Sequence, residues 1–321
     1  MQIADHIYST HIQEDPNTFG AMHPGGTQIY FVGDPNDSMV MIDSGEPYRA
    51  WTRQILDYYA ELGRPRMSAI LVTHGHEDHI GGLDRIQEEL GCVVRCHPKL
   101  SSYLTERLGA GCVEPIKSRE VIPTGGGLGL RALFTPGHEV NHISYFMREQ
   151  RTLFSGDTIL GNSSSSVRNL KEYMASLELL ARQRPTMICP GHGQLIQDGV
   201  KRIQWYIDHR NAREEQVIKA LAGGAGSVDE VVQAVYPRNL RKNLRGAAAR
   251  NVTTHLAKLL EEGRISQDVA TYSVKGAELQ SQVMSPDKPF DKLRTNGNVA
   301  MSVRPEPVEP HTSIGPGSAF A

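Results

Sequence analysis

Two periods of apolar residues alternate over the first two thirds of the chain, and they predict strands and helices in turn. Residues 27–32 and 39–42 are β-branched and aromatic runs separated by turn residues at 33–36, which predicts a hairpin-like pair. A helical pattern covers 51–62 and stops at Gly63. The apolar run 69–72 follows and ends in Thr73-His74, and a second helical stretch, 82–90, ends at Gly91. Later apolar runs fall at 130–134, 143–147, 152–154 and 187–189, most of them ending near Gly, Pro or His. Strands alternating with helices imply an α/β layered domain, and hairpins mixed with crossovers imply a mixed sheet.

From 201 to 221 the pattern is one long amphipathic helix, with Ile203, Ile207, Val217, Ile218 and Leu221 as core contacts. Gly223-Gly224-Ala225-Gly226 breaks it. Ser227-Val228-Asp229-Glu230 then has the form of a capping box opening a short helix. A helical turn is predicted at 239–245, a longer helix at 247–262 ended by Gly263, and a strand at 269–274. Helices followed by strands in this order read as a winged helix. Beyond about Gly276 the apolar pattern fails and six prolines fall between Pro286 and Pro316, which predicts disorder and no catalytic role. The chain therefore divides into a catalytic domain (1–222), a winged-helix-like domain (223–276) and a tail (277–321).

Composition narrows the class. A chain of 321 residues can hold a large core and a smaller second domain. No stretch reaches the roughly 18–20 apolar residues of a membrane helix, so no membrane partner is expected. The opening Met1-Gln2-Ile3-Ala4-Asp5-His6 has neither the basic nor the apolar region of a signal peptide. A net charge of −2 argues against general polyanion binding, though not against a local basic patch. Cys92, Cys96, Cys112 and Cys189 form no C-x-x-C pair and read as thiols in a reducing compartment, so a cytoplasmic location is predicted.

The candidate chemistry lies in Thr73-His74-Gly75-His76-Glu77-Asp78-His79. The segment follows an apolar strand, so it sits on a strand-to-helix loop. There His74 and His76 can converge on one ion, while Asp78 and His79 face a second. Imidazole nitrogen and carboxylate oxygen suit Zn²⁺, and also Mn²⁺ or Fe²⁺. His138, Asp157 and His192 each follow an apolar run and a glycine, the way a strand end presents a ligand. The expectation is that these strand ends share one sheet edge. His23, His97, His142, His209 and His255 stand alone and read as surface or internally satisfied residues, and Glu77 as exposed. Behind the ligands, Thr73 and Asp43 are expected to orient them, with a turn-capping role as the alternative for Asp43.

These residues resemble the metallo-β-lactamase superfamily. The matching positions are His74 to His79, Gly137-His138, Gly156-Asp157 and Gly191-His192. The resemblance implies an αββα sandwich with two metals: His74, His76 and His138 on the first, Asp78, His79 and His192 on the second, and Asp157 bridging. It also implies a metal-bridging hydroxide as nucleophile, oriented by Asp78 as the catalytic carboxylate. A narrower resemblance, over about residues 20 to 275, is to the β-lactamase-like protein 2 group, in which a winged-helix domain follows the catalytic one. It rests on Leu153 to Gly161, Tyr173-Met174-Ala175-Ser176-Leu177 and Tyr206-Ile207-Asp208-His209-Arg210. The best-described member of that group is a single-strand-specific endoribonuclease. The loop Asn162-Ser163-Ser164-Ser165-Ser166 departs from the Gly-Thr-Thr type expected after Gly161.

Three substrate readings follow. The first is a phosphodiesterase on single-stranded RNA, supported by the resemblance and by the basic run Arg238, Arg241, Lys242, Arg245 and Arg250, although a solvated helix face is the commoner cause of such a run. The second is hydrolysis of a small thioester, ester or lactone. A glyoxalase II is disfavoured by Gly75, where that family carries a third histidine, and a secreted β-lactamase by the missing signal peptide and by Asp157 in place of Cys. The third is a winged-helix binding module with an inactive hydrolase-like domain, against which the complete ligand set argues. Iron-dependent redox chemistry is a further use of the same ligands.

Overall fold

Residues 1–13, 25–268 and 271–274 are described in the computed structural model. His23 and the 277–321 tail lie outside the described residues. Strands β1 (Gln2–Ala4), β2 (Ile7–Ile12), β3 (Thr27–Asp34), β4 (Ser38–Ile42), β5 (Met67–Leu71), β6 (Val93–Cys96) and β7 (Val113–Pro115) form one sheet in sequence order. The first four pair antiparallel and the last four parallel, so the sheet is mixed as expected. The parallel crossovers carry α1 (Arg49–Glu61), then α2 (Glu77–Ile80) and α3 (Leu83–Leu90), then α4 (Pro98–Leu108). A second sheet contains β8 (Val121–Pro123), β9 (Gly129–Phe134), β10 (Ile143–Met147), β11 (Thr152–Gly156) and β12 (Met187–Pro190), with α5 (Leu170–Gln183) crossing between the parallel β11 and β12.

Alternation along the strands sorts the side chains into layers. In β3 and β4, Ile29, Phe31, Met39 and Met41 face Trp51, Ile55, Ile86 and Leu104 of the helices. Tyr30, Val32, Val40 and Ile42 face the second sheet and meet Leu130, Ala132, Tyr145 and Phe154. The far side of that sheet, Leu133, Phe146, Leu153 and Ile188, packs on Tyr173, Leu177, Ile203 and Tyr206. The result is an αββα sandwich whose strands are apolar on both faces. This is why they read as continuous runs rather than strict alternations.

Helix α6 (Gly199–Ala222) has 24 residues, about 36 Å at 1.5 Å per residue. Its first half lies in the outer helix layer, and its end enters a small second core. There Val217 and Leu221 meet Val231 and Val232 of α7 (Val228–Val235), Val252, Leu256 and Leu259 of α8 (Lys242–Glu261), and Ile265 of β13 (Ile265–Asp268). β13 pairs antiparallel with β14 (Thr271–Val274), which completes a winged helix. The Ser227–Glu230 capping box is present in both directions.

Two expectations are corrected. Residues 242–245 are not a separate turn but the first turn of α8. Gly246 costs a helix about 1 kcal/mol, less than the burial of Ala248, Val252 and Leu256 returns. The ligand-bearing strand ends also do not share one sheet edge. β4 and β5 end in the first sheet, and β9, β11 and β12 in the second. The two edges meet at one end of the sandwich.

Candidate metal centre

His74 follows β5, and α2 carries Asp78 and His79 with His76 at its N-cap. His138 follows β9, Asp157 follows β11 and His192 follows β12. The fold brings all of them together as two groups: His74, His76, His138 and Asp157, and then Asp78, His79, Asp157 and His192. Within each group the ligand atoms lie within 4.8 Å of one another.

Hydrogen bonding fixes how the first group presents itself. Thr73 Oγ1 donates its proton to Asp43 Oδ2 at 2.8 Å, so at 3.0 Å it accepts from His74 Nδ1–H. His76 donates Nε2–H to Glu139 Oε1 at 2.7 Å, and His138 donates Nδ1–H to Ser166 O at 2.8 Å. With one proton on each ring committed outward, the other nitrogen of each faces inward. The three nitrogens stand 2.9, 3.3 and 3.3 Å apart. Three converging lone pairs repel unless a cation lies between them. A tetrahedral ion with metal–nitrogen bonds of about 2.0–2.1 Å sets such nitrogens about 3.3–3.4 Å apart. The donor set fits.

The second group is built alike. His79 donates Nδ1–H to Asp43 Oδ2 at 2.7 Å, which turns Nε2 to within 3.2 Å of His192 Nε2. His192 pairs Nδ1 with Thr27 Oγ1 at 3.0 Å, and its Nε2 lies 3.0 Å from Asp78 Oδ2. Asp157 Oδ1 lies 3.3 Å from His79 and 3.4 Å from His192, while Oδ2 faces His138 at 3.7 Å. Oδ1 is buried and accepts no hydrogen bond, a costly state for a carboxylate oxygen unless a cation meets it.

The electrostatics agree. Burial alone would raise the Asp157 carboxyl, but His192, His79 and His138 hold it well below the usual carboxylate range. Burial pushes His74 far down, and neighbouring rings add to this, so it stays neutral. Burial opposes a charge on His79, yet Asp78, Asp43 and Asp157 together raise it well above an ordinary histidine. A metal ion bound there would take the place of that proton.

Asp43 is buried, accepts from Thr73 N at 2.7 Å, and has φ +60°, a left-handed conformation that Asp tolerates. It therefore holds Thr73 and His79, as expected for a group behind the ligands. Sequence reasoning missed two residues. His142, read as surface or internally satisfied, is buried with both ring nitrogens partnered, but its position beside the centre was not read: its Nε2 accepts from Asp157 N at 3.1 Å and so helps place the carboxylate common to the two groups. Glu139 joins His76 to Arg168, whose Nε lies 2.6 Å from Oε1. Gly156, at φ +47°, is required where these groups crowd: a Cβ there would lie 2.7 Å from His142 Nε2. Glu77 is exposed, as read, and His97 accepts from Lys99 N to cap α4.

Comparison with known proteins agrees with this geometry. The metallo-beta-lactamase superfamily model matches residues 23–192, and the beta-lactamase associated winged helix domain matches 227–271. The chain is 33% identical over 262 residues to a beta-lactamase-like protein 2 homolog of Drosophila melanogaster, covering 76% of this chain and 86% of that one. It is 31% identical over 239 residues to an atrochrysone carboxyl ACP thioesterase of Aspergillus fumigatus, covering 68% and 71%. In fold it resembles a metallo-beta-lactamase family protein from Thermus thermophilus (TM-score 0.65, 22% identity, covering 85% of this chain and 100% of that one). It also resembles a beta-lactamase domain protein from Burkholderia ambifaria (TM-score 0.72, 19% identity, 85% and 93%). With its paired ligand groups and its winged helix, the chain belongs to the metallo-β-lactamase superfamily, as a metal-dependent hydrolase of that fold.

Proposed function

We propose that the chain is a dinuclear hydrolase of thioesters or related small acyl esters, with zinc as its metal and manganese or iron as the alternatives. The carrying observation is the pair of ligand groups joined by Asp157, taken together with a relative named as an ACP thioesterase. In this reading His74, His76 and His138 would hold one ion, Asp78, His79 and His192 the other, and Asp157 would serve both. Ions bound there would supply the chemistry of a water whose pKa falls from about 15.7 toward about 7, and would polarise a substrate oxygen. Asp78 is the candidate catalytic carboxylate, which would orient that water and accept its proton. Asp43 and Thr73 keep His79 and His74 in the tautomers the reaction needs. Burial of the ligands limits competing solvent, which strengthens each of these contacts. The location proposed is cytoplasmic, which four thiols suit; among the described residues no helix is long and apolar enough to cross a membrane.

A second reading, cleavage of single-stranded RNA, is favoured by Arg238, Lys242, Arg245 and Arg250, all exposed at and before the amino-terminal half of α8. The two readings separate on one panel: an acyl thioester, a lactone, a β-lactam, a bis-aryl phosphodiester and single-stranded RNA. Thioester turnover that stops on chelation and returns with zinc is expected. RNA cleavage without thioester turnover would replace the first reading by the second. RNA binding through those cations would weaken with salt by about 0.7 log units per phosphate per decade.

A further inference from the structure

Helix α6 holds the segment 160–166 by its backbone. Tyr206 Oη donates to Ser163 O at 2.8 Å, and Arg202 Nη2 to Leu160 O at 2.9 Å. One turn further on, Arg210 is only 2% exposed and sits over the Tyr173 ring. Its Nη2 donates to Ser165 O at 2.6 Å and its Nη1 to Asn251 Oδ1 at 2.8 Å. Asn251 belongs to α8, in the winged helix. The next carbonyl along the loop, Ser166 O, is the one that accepts His138 Nδ1–H. A guanidinium is a rigid planar fork, so fixing one end against α8 fixes the direction of the other.

We propose that Arg210 is a positioning residue through which the winged-helix domain sets the three-histidine metal site. It ties α8 to the 165–166 backbone, and that backbone decides where His138 points its Nε2. The Arg210 contact enters at 165–166, whereas the rings of the other metal site are oriented elsewhere, His79 by Asp43 and His192 by Thr27; the same segment meets His192 at its backbone carbonyl, which accepts from Gly161 N at 2.9 Å. The proposal rests on the two-metal reading above. It gives the winged helix a role inside the catalytic domain, separate from any role in substrate binding. It also gives a physical meaning to the serine loop: its carbonyls receive Arg202, Tyr206, Arg210 and His138, and the Ser165 and Ser166 hydroxyls lie 3.3 and 3.4 Å from the same His138 Nδ1.

The test is zinc alone, titrated into the metal-free full chain against a chromophoric chelator, with thermal unfolding measured in parallel. His76→Ala and His192→Ala, each removing one site, assign the two equivalents. Arg210→Met is expected to weaken the three-histidine equivalent about tenfold and leave the other unchanged, the size typical of a group behind a ligand. Asn251→Ala, which removes only the α8 contact, is expected to weaken the same equivalent by less, and it carries the test if Arg210→Met does not fold. Arg210→Lys, which cannot reach both partners with one fork, should recover the melting temperature better than the zinc affinity. If both equivalents weaken together, or if zinc binding is untouched while the melting temperature falls, Arg210 is merely structural and the proposal is wrong. A wild-type chain that binds no zinc would instead overturn the dinuclear reading itself.

Discussion

Each histidine around the centre commits one ring nitrogen to a protein partner and turns the other inward. His79 commits Nδ1 to Asp43, His138 Nδ1 to Ser166 O, and His76 Nε2 to Glu139. Among the described residues, Asp157 is the one that belongs to both groups, with Oδ1 among His79 and His192 and Oδ2 toward His138. Asp157→Ala is therefore expected to weaken both metal sites by more than the ~10–100-fold typical of a partner behind a ligand, and to abolish hydrolysis. Metal analysis beside a rate assay checks this; two retained metals with full rate would contradict the bridging role. The candidate ligands were legible in the sequence because His74, His76, Asp78 and His79 crowd one strand end. His142 and Glu139 were not. Both lie within four residues of His138, but each acquires its role from a partner distant in sequence, Asp157 for His142 and His76 for Glu139. No local spacing carries that information.

Among the elements, α6 joins the two cores, and Glu214 on it pins the winged helix. Its Oε2 lies 2.7 Å from Lys258 Nζ and 3.9 Å from His255 Nδ1, and Oε1 pairs with Arg264. Burial alone would raise the carboxyl, but His255, Lys258 and Arg264 hold it at about 2. A folded-state value below the ordinary glutamate value of about 4.3 gives stabilisation that is fully present above about pH 5 and lost as pH falls toward 2. Glu214→Gln should thus lower the melting temperature near neutrality, and the gap to wild type should narrow between about pH 4.5 and pH 2.5. A gap that does not change with pH would show that the ion pairs contribute nothing through charge. The strands from β3 to β5 and from β9 to β12 were readable because two-sided burial leaves apolar runs, and α6 because one buried stripe recurs at helical spacing. β13 was not, since Ser266, Gln267 and Asp268 are polar on an exposed wing. The start of α8 was hidden by Gly246, whose local preference the second core overrides.

For the molecule as a whole, the sandwich brings the ends of two sheets together so that chemistry divided over more than a hundred residues meets in two adjoining groups. That convergence, rather than any one motif, separates a dinuclear hydrolase from a binding module built on the same fold. The winged helix adds basic side chains at α8 and the Arg210 contact to the ligand loop. The most direct measurement is the zinc content of the metal-free chain after dialysis against buffered zinc, counted by mass spectrometry. Two equivalents per chain are predicted, falling to one in His192→Ala. A wild-type chain that takes up one equivalent or none would contradict the dinuclear centre.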